Sequence, residues 1–182
     1  MAQDGANTAI LSEDEAWMYL QATLMNVWSP SGQTPLVRVD PGRAKAAFYG
    51  SLDLQTGQGL VSRSSGLTAQ ASAQHLDMIL KAIPERPSRL FGDRAPWHRG
   101  EPIRQLVQVN PRLELIDYPV TAADLNPQEQ VWKQTRRAVS HNHTIPHLPD
   151  LADRFELHLT ANIFHNSFLE RYGFFLVCPF LN

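Results

Sequence analysis

Residues 90–98 read Leu-Phe-Gly-Asp-Arg-Ala-Pro-Trp-His: a short apolar run, then an aspartate, then a turn of small and polar residues. The apolar run predicts a strand that ends at Asp93. In open α/β sheets the ligand crevice lies beyond the carboxyl ends of the strands. Asp93 therefore stands where a functional side chain is expected, and its meaning depends on whether other carboxylates converge with it.

The composition is that of a soluble globular protein, with 43% hydrophobic and 19% charged residues in 182. One domain over residues 1–182 is expected, and the single cysteine, Cys178, excludes an internal disulfide framework. Neither a secretory signal nor a membrane-spanning segment is apparent, so we expect a cytoplasmic protein that does not contact membranes. The net charge of −2 argues against a surface covered in basic charge, although residues 1–35 hold four acids and neither Lys nor Arg.

The pattern along the chain predicts strands first and helices later. In chain order we expect a strand over 8–11 that can continue past the acids at 13–15, then a hairpin of 46–54 and 60–63. A helix from Ala69 to Ile83, with Thr68 as its N-cap, is followed by the strand before Asp93, a helix over 102–109 and a strand over 113–118. A third helix follows Asn126, and a fourth helix runs through Leu151, Phe155, Leu159 and Ile163 and ends before Gly173. This order predicts an α/β fold: a mixed sheet with antiparallel early strands, flanked by helices.

The third helix carries an acidic residue in its first turn, Glu129. On a helical wheel the apolar side is formed by Val131, Trp132, Thr135, Ala138 and Val139. Glu129 lies on the opposite side with Lys133 and Arg136, and Arg137 flanks them. Two interpretations remain open at this point: Glu129 completes a capping box with Asn126 and pairs with Lys133, or it belongs to a functional site.

Three carboxylates follow or begin elements that can meet at one edge of the sheet: Asp14, Asp93 and Glu129. Converging carboxylates hold hard divalent cations such as Mg²⁺. Two such ions, roughly 4 Å apart, can activate an attacking oxygen and stabilise the leaving oxygen of a phosphodiester. A cation is also needed because bare carboxylates repel an anionic substrate.

These residues carry a resemblance to a known family. The segments 13–15 (Glu-Asp-Glu), 92–98 (Gly-Asp-Arg-Ala-Pro-Trp-His) and 125–133 (Leu-Asn-Pro-Gln-Glu-Gln-Val-Trp-Lys) resemble the catalytic domain of DDE transposases in the mariner-related group of bacterial insertion sequences. The strand at 48–52 resembles the family's second strand, and the likeness covers nearly the whole chain. Arg94 departs from the family, which often has Asn at that position.

The resemblance implies a ribonuclease-H-like fold and a site in which Asp14, Asp93 and Glu129 hold Mg²⁺ or Mn²⁺, two ions in all. It also implies that the chain acts on DNA, both at transposon ends and at the target site. Five side chains are candidate DNA contacts: Lys133, Arg136, Arg137, Arg94 and His98. For His98, orienting a carboxylate and simple packing are alternatives.

The family's N-terminal helix-turn-helix region is not found before the first strand, so a DNA-binding partner or a missing N-terminal region is expected. A homodimer is left open. The leading hypothesis is metal-dependent DNA strand cleavage and strand transfer. The alternatives are a catalytically silent remnant or interaction module that keeps the fold, and another nuclease with the same fold.

Overall fold

Five strands form one mixed sheet in the part of the chain that this computed structural model describes, residues 7–37, 42–119 and 126–164. The strands are β1 (Ala9–Tyr19), β2 (Lys45–Asp53), β3 (Gly59–Ser64), β4 (Ser88–Gly92) and β5 (Leu113–Asp117). Their spatial order is β3-β2-β1-β4-β5. The first three strands are antiparallel neighbours, whereas β4 runs parallel to β1 and β5 runs parallel to β4. The predicted mixed sheet with antiparallel early strands is therefore confirmed.

Helices cover both faces of this sheet. They are α1 (Ala69–Ala82), α2 (Glu101–Val109), α3 (Pro127–Thr135) and α4 (Leu148–Ala161). In the described ranges, none of them combines the length and the apolar character needed to cross a membrane. Helices α1 and α2 share one hydrophobic core with the sheet, and α3 and α4 share a second core with its opposite face.

Strand β1 supplies side chains to both cores because successive residues of a strand point to opposite faces. Ala16 and Met18 pack in the core with Trp132 of α3 and Phe155 of α4, whereas Leu11 packs in the core with α1 and α2. The same alternation runs through the acids at 13–15. Asp14 therefore faces α3, and its neighbours Glu13 and Glu15 face the opposite side.

Several local predictions are confirmed. Strand β1 continues through the acidic cluster to Tyr19, and β2 and β3 form the hairpin. Helix α1 begins after Thr68, whose hydroxyl oxygen accepts a hydrogen bond from the Ala71 N–H at 3.1 Å. A capping side chain and a helical apolar period are local signals, so these boundaries were readable from the sequence.

Two predictions about the helices were wrong. Helix α4 ends at Ala161, and Ile163 forms a β-bridge with Gln58 because the backbone of Asn162 is extended. Ala138, expected on the apolar side of the third helix, is exposed, since residues 136–140 form a wider π-helical turn that rotates it away from the core. Gly173, before which the fourth helix was expected to end, lies outside the described residues, as do Cys178 and Leu125.

Candidate active site

Asp14 lies in the middle of β1, on the face that α3 covers. The indole Nε1–H of Trp132 donates a hydrogen bond to Asp14 Oδ2 at 3.1 Å. Trp132 is 1% exposed and is stacked on Phe155 at 6.2 Å, so this donor is held firmly. The sequence predicted that Trp132 packs in the core, and this is confirmed.

Gly50 of β2 lies directly opposite Asp14 in the antiparallel pair, beneath α3. A Cβ atom at this position would lie 2.5 Å from Gln128 Nε2 and 2.5 Å from Trp132 Cη2. Glycine is therefore what allows α3 to approach the sheet this closely. The close approach brings the first turn of α3, with Glu129, over the strand that carries Asp14.

Asn126 fixes where α3 begins. Its Oδ1 accepts hydrogen bonds from the Gln128 N–H at 3.0 Å and from the Ser12 hydroxyl at 2.6 Å. Its Nδ2 donates to the Glu13 carbonyl at 3.1 Å. The predicted N-cap is thus confirmed, and the same side chain ties the start of the helix to β1 across more than 110 residues of sequence.

Asp93 follows β4, which is parallel to β1. The last paired residues are Ser12 and Phe91, so Asp14 and Asp93 each stand two residues beyond that pair. The Ala95 N–H donates to Asp93 Oδ1 at 2.8 Å, which folds the turn around the carboxylate. The Asp93 side chain is 54% exposed, so one side of it faces solvent.

The three predicted acids influence one another electrostatically. Burial and repulsion from Glu129 raise the pKa of Asp14 to about 7, and repulsion from Glu15 and Asp93 adds to the effect. A cation bound among these carboxylates would relieve that repulsion, and an all-oxygen donor set suits Mg²⁺ or Mn²⁺. The residues present therefore fit the divalent metal that the family resemblance of the sequence implies.

A second polar cluster lies on the opposite face of β1 and was not predicted from the sequence. Glu13, Glu15 and His98 each offer a ligand atom, and these atoms all lie within 4.8 Å of one another. Among the described residues no other three potential ligands lie within this distance of one another. The ligand atoms of Asp14, Asp93 and Glu129 are therefore farther apart. Strand alternation alone indicated that Glu13 and Glu15 share a face, but no sequence signal placed His98 between them.

His98 contacts acids with both ring nitrogens. Its Nε2 lies 2.7 Å from Glu15 Oε1 and 3.4 Å from Glu13 Oε2. Its Nδ1 lies 3.0 Å from the Asp93 carbonyl oxygen and 3.1 Å from Asp93 Oδ1. Burial alone would lower the pKa of His98, but the hydrogen bond to Glu15 and the charges of Glu13 and Glu15 raise it to about 10. Burial and repulsion from Glu15 raise the pKa of Glu13 well above its ordinary value.

The basic candidates for DNA contact fall into two groups. Lys133 and Arg137 are exposed and Arg136 is half-buried, and none of these side chains forms an ion pair within the described residues. Arg94, in contrast, lies 3.4 Å from Asp117, which also binds Arg99 at 3.2 Å. The first group is free to meet phosphates, whereas Arg94 would have to leave its partner.

The chain resembles known proteins both in sequence and in fold. A family model described as DDE superfamily endonuclease matches residues 9–152. A search of the curated proteins found no match.

Among solved structures, the Mos1 transposase paired-end complex with left transposon end matches with a TM-score of 0.67 at 15% identity, covering 95% of this chain and 54% of that chain. The paired-end complex of the Mos1 mariner transposase with Mn matches with a TM-score of 0.64 at 14% identity, covering 95% of this chain and 53% of that chain. The catalytic domain of Mos1 mariner transposase has a TM-score of 0.59 at 12% identity, covering 95% of this chain and 78% of that chain.

This chain thus spans about half the length of the transposase chains in the two complexes. At these identities the likeness establishes the fold, which is the ribonuclease-H-like fold of a transposase catalytic domain, as the sequence resemblance implied. On the match over residues 9–152, the chain belongs to the DDE superfamily of endonucleases.

Proposed function

We propose that this chain is the catalytic domain of a DDE transposase that cuts DNA at transposon ends and joins the freed ends to target DNA. The observation that supports the proposal is that Asp14 and Asp93 stand side by side beyond the last β1–β4 pair while α3, whose first turn carries Glu129, packs over Asp14 through Trp132. Repulsion from Glu129 and Asp93 also raises the pKa of Asp14. Structural acids are normally paired with cations, so a largely buried carboxylate that two other acids repel favours a bound metal at that place.

Asp14, Asp93 and Glu129 would hold the metal, two ions of Mg²⁺ or Mn²⁺ in all. When bound, divalent ions make an attacking oxygen more nucleophilic and stabilise the charge that develops on the leaving oxygen. The protein contributes position: the Trp132 hydrogen bond fixes one carboxylate, the Ala95 N–H fixes the second, and the Asn126 cap fixes the helix that bears the third.

The reaction has two steps of the same type. In cleavage, a water oxygen forms a bond to phosphorus, the bond to the leaving strand breaks, and the leaving oxygen takes up a proton to become a 3′-hydroxyl. In strand transfer, that 3′-hydroxyl attacks a target phosphodiester and one new phosphodiester replaces another. The leaving 3′ oxygen of the target strand takes up the proton that the attacking hydroxyl loses, and neither step requires an oxidant or a reductant.

DNA contact is assigned to the exposed side of α3 and the turn after it. Lys133 lies one helical turn after Glu129, and Arg136 and Arg137 follow on the next turn. Their charges lack partners within the described residues, so they can meet phosphates beside the acids. Recognition of particular transposon ends is assigned to a helix-turn-helix region or partner outside this chain.

The test is nicking of supercoiled plasmid and strand transfer of an end-bearing duplex in Mn²⁺, with a DNA-binding partner added where needed. Asp93→Asn is compared with Asp153→Asn, a matched change of an exposed aspartate on α4 that pairs with Arg63. We expect activity in the wild type and the Asp153 variant, and its loss in the Asp93 variant. Metal-dependent activity that survives Asp93→Asn contradicts the proposal.

A catalytically silent remnant is distinguished by calorimetry with Mn²⁺. An active domain binds Mn²⁺ in a manner that depends on Asp14, Asp93 and Glu129. A remnant shows no binding that depends on them, and that result favours the remnant.

A further inference from the structure

His98 forms a bridge between Asp93 and the interior of the protein. Its ring lies between the turn after β4 and the middle of β1. Nδ1 is hydrogen-bonded to the Asp93 carbonyl oxygen at 3.0 Å and lies 3.1 Å from the Asp93 carboxylate, and Nε2 is bonded to Glu15 at 2.7 Å. The His98 side chain is 14% exposed and that of Glu15 is 4% exposed, so the contact between them is shielded from water, whereas the Asp93 side chain is 54% exposed. A hydrogen bond between such groups is stronger and more directional than one at the surface.

Asp93 needs an anchor of this kind because of where it stands. It lies beyond the last residue of β4, so the hydrogen bonds of the sheet do not restrain its side chain. The Ala95 N–H holds one carboxylate oxygen, but that donor belongs to the same turn and moves with it. His98 is also part of this turn, and its far nitrogen reaches Glu15, which is held in β1 by pairing with Tyr49 of β2.

Glu15 is itself held in place. The same oxygen, Oε1, accepts a hydrogen bond from the Trp97 indole N–H at 2.7 Å. Gly92 lets the turn pack tightly against this region, because a Cβ there would lie 3.2 Å from Glu13 Oε2 and 3.9 Å from His98 Nδ1. The side chains on this face of β1 therefore hold the turn that carries Asp93 against the sheet through several contacts.

We propose that His98 is a positioning residue, which holds the Asp93 carboxylate in the orientation that binds metal by linking it to Glu15. The inference rests on the proposed function, since it assigns Asp93 a metal to bind. It assigns His98 no contact with DNA phosphate: both ring nitrogens already face carboxylate or carbonyl oxygens, and a phosphate would have to displace one of them.

The experiment measures the affinity of the chain for Mn²⁺ by calorimetry, without DNA, alongside its affinity for a DNA duplex in EDTA and its thermal unfolding. Partners that orient a metal ligand typically contribute about 10–100-fold to metal affinity. We expect His98→Asn to weaken Mn²⁺ binding by about 10–100-fold and to leave DNA affinity unchanged. His158→Asn, a histidine on α4 bound to Thr135, serves as the matched control.

Glu15 supplies the second arm of the test. Glu15→Leu removes the acceptor and should weaken Mn²⁺ binding as much as His98→Asn does. Glu15→Gln keeps an acceptor oxygen and should restore most of the affinity. In a double-mutant cycle the pair His98→Asn and Glu15→Leu should lose no more than either single variant, because both break one bridge.

A folded His98→Asn protein that binds Mn²⁺ like the wild type overturns the inference, as do fully additive losses in the cycle. A loss of DNA affinity with normal Mn²⁺ affinity makes His98 a phosphate contact and also overturns it. So does an Mn²⁺ site that survives Asp93→Ala but is lost in His98→Asn, since Glu13, Glu15 and His98 would then hold a cation of their own. If Asp93→Ala itself leaves all Mn²⁺ binding intact, the proposed function fails first.

Discussion

Replacing Gly50 by alanine tests whether the close approach of α3 to the sheet builds the site. The added methyl carbon would lie 2.5 Å from Trp132 Cη2, 2.7 Å from Trp132 Cζ2 and 2.5 Å from Gln128 Nε2. Ordinary contacts between such atoms begin near 3.4 Å. Trp132 is 1% exposed and stacked on Phe155, so the ring has no free space to enter. Helix α3 must therefore move away from the sheet by roughly 1 Å, the difference between these separations.

The expected loss of stability is about 1–3 kcal/mol, the usual cost of overpacking a core. Alanine is favoured over glycine within a strand by roughly 0.5–1 kcal/mol, which offsets part of the loss. For a chain of this size 1 kcal/mol corresponds to about 2–4 °C, so the melting temperature should fall by several degrees. The catalytic effect should be larger, because a misplacement of about 1 Å can lower a rate by about 100-fold.

Gly66→Ala is the matched control, since a Cβ at Gly66 would meet nothing within 4 Å. Melting temperature, Mn²⁺ affinity and plasmid nicking are measured for both variants. Gly50→Ala should be impaired in all three, and Gly66→Ala in none. Equal behaviour of the two glycine variants would refute the idea that the contact over Gly50 positions Glu129 beside Asp14.

Three further predictions follow from the charges and caps of the site. Without metal, Asp14 keeps its proton up to about pH 7 in the folded protein, whereas the unfolded chain loses it near pH 3.8, so the free energy of unfolding should fall as pH rises between these values. Asp14→Asn should remove this pH dependence, which amounts to at most about 4 kcal/mol. A pH profile from urea unfolding that is the same in the variant and the wild type contradicts the assignment. Asn126→Ala removes the α3 cap and leaves the Glu13 carbonyl without the Asn126 donor. The free energy of unfolding, measured by urea titration, should fall by about 2–4 kcal/mol. A loss under about 0.5 kcal/mol argues against a structural role for the cap. The double variant Lys133→Ala and Arg137→Ala should weaken duplex binding and reduce the slope of log affinity against log salt by about 2, and a wild-type slope removes both residues from the interface.

Local signals in the sequence were sufficient for most of the fold. The hairpin of β2 and β3, the Thr68 cap of α1 and the Asn126 cap of α3 each depend on residues within a few positions of one another. The mixed sheet followed from the order of these elements. The end of α4 was missed because Ile163 fits the helical period, and its pairing with Gln58 is a contact between distant residues.

The site was only partly predictable for the same physical reason. Asp14, Asp93 and Glu129 could be proposed from their predicted places at strand and helix ends and from the family resemblance, although Asp14 in fact lies in the middle of β1. The bridge from Asp93 through His98 to Glu15 spans 83 residues between its last two members, and no local pattern records it. Gly50 reads in the sequence as a weak point within a strand, and its role is visible only once Trp132 is seen to lie over it.

The alternation of β1 explains why two clusters of acids can stand so close together. Asp14 faces α3, while Glu13 and Glu15 face the turn after β4, so the strand itself separates Asp14 from the two acids that contact His98. Asp93 is the residue that belongs to both groups: it repels Asp14 on one side and accepts from His98 on the other. The His98 ring links it to Glu15, which pairing with β2 holds in place in β1. Under the proposed function, this contact gives a carboxylate beyond a strand end the orientation that a metal ligand requires.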